Sequence, residues 1–157
     1  DALAYLHSKN ITYNDLKPQN VGYDSAGRLK LYDFGFASST DEPTSSFCGT
    51  MRYMSPEVGL GNGSGLASDV YSFGVLVWEV CALKKPFEKI KSVRAFKKTV
   101  FEKGTRPALK KGWPPVLKDI MENCWLRAPH QRPIMTFVKD VLLEEYGDEL
   151  SSLSHQP

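Results

Sequence analysis

The sequence predicts a mainly α-helical domain, with helices around a buried central helix and a small β-hairpin beside a polar loop. Three stretches carry that prediction. "DVYSFGVLVWEVCAL", residues 69–83, is apolar or small on all sides apart from Asp69 and Glu79, the pattern of a helix enclosed by protein. "NVGYDSAGRLKLYDFG", residues 20–35, alternates apolar and polar positions on either side of a turn at Asp24 to Gly27, the pattern of a hairpin. Beyond residue 84, apolar residues recur at helical spacing.

Each element follows in order. "DALAYLHSKN" reads as the last turns of a helix, with Asn10 as a left-handed C-terminal cap. In the hairpin, pairing Tyr23 with Arg28 brings Asn20 opposite Leu31, so Asp33 lies just beyond the same open end and the two are expected to be neighbours. Residues 37–47, "ASSTDEPTSSF", have hydroxyls and a proline without periodicity and read as a loop suited to modification. "EVGLGNGSGLAS" is a Gly-rich connection ending in Ser68, the expected N-cap of the central helix. Ile90, Val93, Phe96, Val100 and Phe101 predict an amphipathic surface helix. "PPVLKDIMENCWLRAPHQRPIMTFVKDVLLEEY" gives two helices around a Pro129 to Pro133 turn, followed by a polar tail over residues 147–157. Trp78, Trp113 and Trp125 read as core; His7, His130 and His155 read as packing or surface residues without convergent partners.

Bulk properties narrow the function. A chain of 157 residues is of single-domain size and can bury about 68–70% of its unfolded surface. Its 41% hydrophobic content places it among globular domains. A net charge of +2, from 20 Lys and Arg against 18 Asp and Glu, provides no large field and argues against nucleic acid or an anionic membrane as the main partner. Cys48, Cys81 and Cys124 are odd in number, far apart and lack C-x-x-C spacing, which suggests neither a disulfide framework nor a zinc site and fits a reducing, cytoplasmic setting. The central apolar stretch is too short to span a bilayer and carries Glu79, so no membrane segment is expected in this chain. Asp1 lies inside an apolar helical pattern with no basic and apolar leader, so the chain reads as an internal part of a longer protein.

The chemistry concentrates in "TYNDLKPQN", where Asp15, Lys17 and Asn20 fall within one short polar stretch. Asp15 to Asn20 reads D-L-x-x-x-N, Asp33 to Gly35 reads D-F-G, and Gly49 to Glu57 reads G-T-x-x-Y-M-S-P-E; "SDVYSFGVLVWE" and "CWLRAPHQRP" follow. Singly these are turn formers. Their joint order resembles the C-terminal lobe of a eukaryotic-type protein kinase domain over nearly the whole chain. The resemblance implies residues 1–146 as a partial kinase domain, its N-terminal lobe absent. It also implies ATP and Mg²⁺ as cofactors, a protein as substrate, and transfer of the ATP γ-phosphoryl group.

Roles follow residue by residue. Mg²⁺ takes hard oxygen donors, so Asn20 and Asp33 at one hairpin end form a suitable half-site. Asp15 would accept the substrate hydroxyl proton, and Lys17 would offset the charge of the transferred group. Within the resemblance, Gly49 and Thr50 position substrate, with Thr50 contacting Asp15 and Lys17. Glu57 pairs with Arg132, and Asp69 receives backbone amides of the catalytic loop. Ser38, Ser39, Thr40, Thr44, Ser45 and Ser46 populate the activation loop. "DLKPQN" and "GTMRYMSPE" are similar to Ser/Thr kinases, Phe36 favours serine acceptors, and "CWLRAPHQRPIMTF" is similar to the tyrosine-kinase-like group.

Two departures matter. Tyr13 and Asn14 stand where the family has His-Arg, and Asn14 lacks the charge with which that arginine docks a phosphorylated loop residue. The loop hydroxyls are therefore not expected to be an obligatory switch. No Gly-rich phosphate loop or V-A-I-K lysine is present, so residues 1–157 alone are expected to be essentially inactive, with apolar surface exposed toward the other lobe. The alternative reading is a pseudokinase or kinase-derived protein-binding module.

Overall fold

A computed structural model describes residues 1–42 and 49–153, with side chains through residue 147. The N-terminal apolar turns form α1 (Ala2–Ser8), and Asn10 takes the left-handed conformation at φ 55° just beyond its end. Short strand β1 (Ile11–Thr12) follows, then a 3₁₀ turn at Pro18–Asn20 and the hairpin β2 (Val21–Tyr23) and β3 (Leu29–Leu31). A second short strand, β4 (Ser38–Ser39), pairs antiparallel with β1, Ile11 opposite Ser39 and Thr12 opposite Ser38. Two residues of strand lie inside the stretch read from sequence as irregular; so short a pairing has no periodicity to detect.

The hairpin register corrects the expected one by a residue. Val21 faces Leu31 and Tyr23 faces Leu29, leaving residues 24–28 in the turn. Asp24 sets this longer turn: its Oδ1 accepts the amides of Ala26 and Arg28 at 2.9 Å, and Gly27 supplies the left-handed position at φ 72°. With this register the half-buried Val21 and Leu31 lie opposite each other and both pack against the core. Asn20 consequently lies opposite Tyr32, whose amide donates to the Asn20 carbonyl at 2.9 Å.

After the short helix α2 (Pro56–Gly59), the chain enters the central helix α3 (Leu66–Ala82). Val70, Tyr71 and Val75 on α3 are buried, as expected, but Val80 is 63% exposed and Leu83, just past the end, is 88% exposed. The helix starts before Ser68, with Gly65 at the cap; Ser68 is the third helical residue and its Oγ accepts the Gly65 amide at 3.2 Å, so it stabilises the start from inside. The amphipathic segment is a single turn, α4 (Val93–Phe96), running into a π-helical turn at Lys97–Glu102. The wider turn brings Phe96 and Phe101, five apart, edge to face at 5.4 Å, both buried, while Val93 is exposed instead of facing the core.

Helix α5 (Pro115–Cys124) packs along α3, and after a 3₁₀ turn at Pro129–Gln131 helix α6 (Met135–Leu153) returns beside α1. α6 continues through residues 147–153, into the stretch read as a polar tail; residues 154–157 are outside the described residues. Three apolar clusters result: one beneath the loop after β1, one between α3 and α5, one between α2 and the α4 segment. Each fully buried Val or Phe side chain contributes about 1.5–3 kcal/mol, so Val75 and Val100, both 0% exposed, anchor separate parts of the core.

Candidate active site

Residues 13–20 leave β1 as an irregular loop that needs outside partners for its amides. Asp69, on the first turn of α3 and 0% exposed, supplies them: Oδ2 accepts the Tyr13 amide at 2.7 Å and Oδ1 the Asn14 amide at 2.8 Å. His7 Nε2 lies 3.1 Å from Asp69 Oδ2 and braces the carboxylate from α1. His7 thus has a convergent partner, contrary to the sequence reading. A partner 62 positions away leaves no trace in the residues flanking either one.

Tyr13 is fully buried. Its hydroxyl donates to the Tyr32 carbonyl, and its ring meets the Phe34 ring edge-on at 5.4 Å. Burial is the main cause that pushes its phenol up to about 12. Asn14 takes a left-handed backbone, φ 67°, and directs its amide nitrogen at Thr12 Oγ1 (2.9 Å), the Phe36 carbonyl (2.9 Å) and Ser38 Oγ (3.1 Å). The Asn14 bonds to the Phe36 carbonyl and Ser38 Oγ join positions 22 and 24 apart, beyond the reach of any local spacing signal.

Asp15 occupies the centre and is 4% exposed. Lys17 Nζ donates to its Oδ2 at 2.5 Å and Asn20 Nδ2 to the same oxygen at 3.1 Å, while Thr50 Oγ1 donates to Oδ1 at 2.7 Å. Lys17 also donates to Thr50 Oγ1 at 3.1 Å, closing a ring of three side chains. Gly49 permits this approach: its φ is 92°, and a Cβ there would stand 2.3 Å from the Asn14 carbonyl oxygen.

Asn20 Nδ2 also donates to the Asp15 backbone carbonyl at 3.0 Å, which turns the carboxamide oxygen away from Asp15. Asp33 is exposed, at φ 56°, with Oδ1 accepting the Gly35 amide at 3.2 Å. A carboxylate and a carboxamide oxygen at the hairpin end are the donors a hard divalent cation takes with water and phosphate oxygens, so the residues fit Mg²⁺. No cluster of three His, Cys, Asp or Glu side chains suited to a metal occurs among the described residues.

Ser38 and Ser39 form β4; Ser38 Oγ lies 2.9 Å from Thr12 Oγ1, and the Thr40 amide donates to the Asn10 carbonyl at 2.8 Å. Thr44, Ser45 and Ser46 lie outside the described residues. Below the loop, Arg132 Nη1 and Nη2 bind Glu57 Oε1 and Oε2 at 2.6 and 2.9 Å. Burial pushes the Glu57 carboxyl up, but the Arg132 hydrogen bonds and charge outweigh it and hold the group below its ordinary value. Tyr71 lies between two guanidinium groups, Arg106 at 4.9 Å and Arg132 at 5.2 Å from its ring centre. Among the described residues no helix is long and apolar enough to cross a membrane.

The family described as protein kinase domain matches residues 1–144. Mitogen-activated protein kinase kinase kinase 7 of Homo sapiens is 35% identical over 144 residues, covering 89% of this chain and 24% of that protein. The Bos taurus protein of the same name is also 35% identical, over 89% of this chain and 25% of its own length. Developmentally-regulated protein kinase 1 of Dictyostelium discoideum is 43% identical over 104 residues, 64% of this chain and 15% of that protein. The chain spans about a quarter or less of the length of these curated relatives.

Proposed function

The chain belongs to the protein kinase family, and on that premise we propose that its parent is an ATP-dependent protein serine/threonine kinase. In this reading residues 1–146 form the C-terminal, substrate-binding lobe of the catalytic domain and the residues after 146 form a C-terminal extension. The observation that carries it is the Asp15 carboxylate, buried yet held by Lys17, Asn20 and Thr50 at the open end of the hairpin.

In the proposed reaction Asp15 orients a serine or threonine hydroxyl and accepts its proton as the oxygen takes the γ-phosphoryl group and ADP leaves. Lys17, already within reach of Asp15 and Thr50, offsets the negative charge on the transferred group. Asn20 and Asp33 would hold Mg²⁺, which when bound neutralises phosphate charge. Gly49 and Thr50 position the acceptor segment. The Lys17 to Thr50 bond supports serine/threonine specificity, since it rests on the lysine that distinguishes "DLKPQN".

Tyr23, Leu29, Tyr32, Phe34 and Phe36 are all exposed along the edge that carries Asn20 and Asp33. That edge suits coverage by the N-terminal lobe, which would position the nucleotide. Orientation of reactants is worth about 7–11 kcal/mol of barrier, so residues 1–157 alone are expected to transfer negligibly. Labelling of a peptide by the purified 157-residue chain with Mg·ATP, lost in Asp15→Ala, would overturn that expectation.

The deciding experiment is an assay of the full-length parent with Mg·ATP and a mixed serine, threonine and tyrosine peptide library. Wild type is expected to label serine or threonine, and Asp15→Ala and Asp33→Ala are each expected to abolish transfer. A folded parent that transfers nothing would turn the assignment to a pseudokinase or protein-binding module.

A further inference from the structure

The near-neutral total charge conceals a strong separation along the chain. Residues 84–111 hold eleven of the 20 Lys and Arg residues and only two of the 18 Asp and Glu residues. Lys84, Lys85, Lys91, Arg94, Lys97 and Lys98 are all exposed, and none takes part in an ion pair among the described residues. Arg94, Lys97 and Lys98 stand three and four apart, so α4 and the turn after it present them on one outward face. Like charges at that spacing destabilise a helix slightly, and an anionic partner would relieve the cost.

The segment is fastened to the stretch that follows Thr50. Arg52 Nη1 donates to the Pro86 carbonyl at 2.6 Å, and Phe87, Ile90 and Met51 pack around Phe96, Val100 and Phe101. The basic segment therefore adjoins the residues just past Thr50, which in the kinase reading helps position the acceptor segment. We propose that residues 84–111 dock an acidic segment of the protein substrate beside the phosphotransfer site. The inference rests on the kinase reading only in naming that segment as part of a substrate.

Two other anionic partners fit the surface less well. A membrane-bound helix needs its apolar face turned to lipid, whereas Phe96, Val100 and Phe101 are buried in the core and leave Val93 as the outward apolar residue of α4. Single-stranded nucleic acid needs exposed aromatic platforms, and the exposed large hydrophobic residues of this segment include no aromatic ring.

The test uses the full-length parent and a fluorescein-labelled peptide of eight glutamates, read by anisotropy at low and moderate salt. The triple variant Arg94→Glu, Lys97→Glu, Lys98→Glu is expected to weaken binding at least about tenfold, and salt to weaken wild-type binding. A serine peptide extended by the glutamates should lose at least tenfold in kcat/KM in that variant, while the unextended peptide is unaffected. Should the charge reversal unfold the protein, the glutamine triple at the same positions should still show an intermediate loss. Equal binding by wild type and folded variants would overturn the proposal, as would tighter binding to phosphatidylserine vesicles or a thymidine oligonucleotide than to the peptide. Asp15→Ala separates the two readings: it should abolish transfer and leave peptide binding intact. A wild-type parent that binds through this face but never transfers would sink the kinase assignment and keep the docking surface.

Discussion

Two ion pairs of the same chemical type, Glu57 with Arg132 and Asp15 with Lys17, are built for different work. Arg132 is 0% exposed at its side chain and Glu57 15%. The guanidinium also donates to the carbonyls of Leu126 and Ala67 at 2.8 Å, so its donors face fixed acceptors. Lys17, 20% exposed, holds an Asp15 that is 3% exposed, and its flexible ammonium can swing away without leaving a backbone carbonyl unpaired. Saturation marks the first pair as structural. In the proposed reaction the second pair serves differently, because a lysine that can change partner suits a group whose charge appears only during transfer.

The sharpest way to break this contrast is Arg132→Ala. Removing one partner of a buried pair costs about 3–5 kcal/mol, and the Ala67 and Leu126 carbonyls lose their donor as well. Urea denaturation of the parent should show a loss of at least that size. Replacing both partners with apolar residues should remain destabilising here, because those two carbonyls stay orphaned; a neutral or stabilised double variant would show that the carbonyls find other partners. The pH dependence follows from the lowered Glu57 pKa. A depressed carboxyl contributes stability above its unfolded value, near 4.5, and loses it as pH falls through the lower folded value. Glu57→Gln should therefore flatten the acid limb of a stability profile below about pH 4.5.

Asp15→Asn tests the other side. The isosteric amide keeps the cavity filled, so stability should change little, while transfer falls by about 10²–10⁴-fold, the usual contribution of a general base. A variant that loses stability as Arg132→Ala does would make Asp15 another structural acid. Asp69→Ala is expected to fall between the two cases. Three bonds, from the Tyr13 and Asn14 amides and from His7, end on that carboxylate, so both kcat and the hydrogen-exchange protection of the loop should drop.

What could be read from the sequence follows the range of the interactions. The burial of Val70, Tyr71 and Val75 on α3, though not the open end at Val80, and the end of α1 at Asn10 were legible because periodicity and capping act within a few residues. Bringing Asn20 and Asp33 to one hairpin end needed only alternation and a turn. The register slipped by one because the Asp24 side chain lengthens the turn, a local geometric choice that alternation does not encode. Resemblance supplied the pairing of Glu57 with Arg132, 75 positions apart, which no spacing argument reaches. The His7 to Asp69 contact, the β1–β4 bridge and the π-helical turn depend on tertiary packing, which overrides local propensity.

The finest contrast is between Asn14 and the charged residue the family pattern has there. An arginine would wait for a phosphate, whereas the Asn14 amide already reaches the Phe36 carbonyl and Ser38 Oγ without one. Asn14→Ala removes those two bonds, each worth about 0.5–1.5 kcal/mol, and should cost the parent about 1–3 kcal/mol of stability while lowering kcat several-fold by loosening β4. Replacing Ser38, Ser39, Thr40, Thr44, Ser45 and Ser46 together with alanine should be milder still, since the Phe36 carbonyl remains as a tether. A six-alanine parent that loses activity, and regains it when phosphate is installed at one of those positions, would show that the loop is a switch after all. That result would make the Asn14 contacts a resting arrangement that phosphorylation must displace.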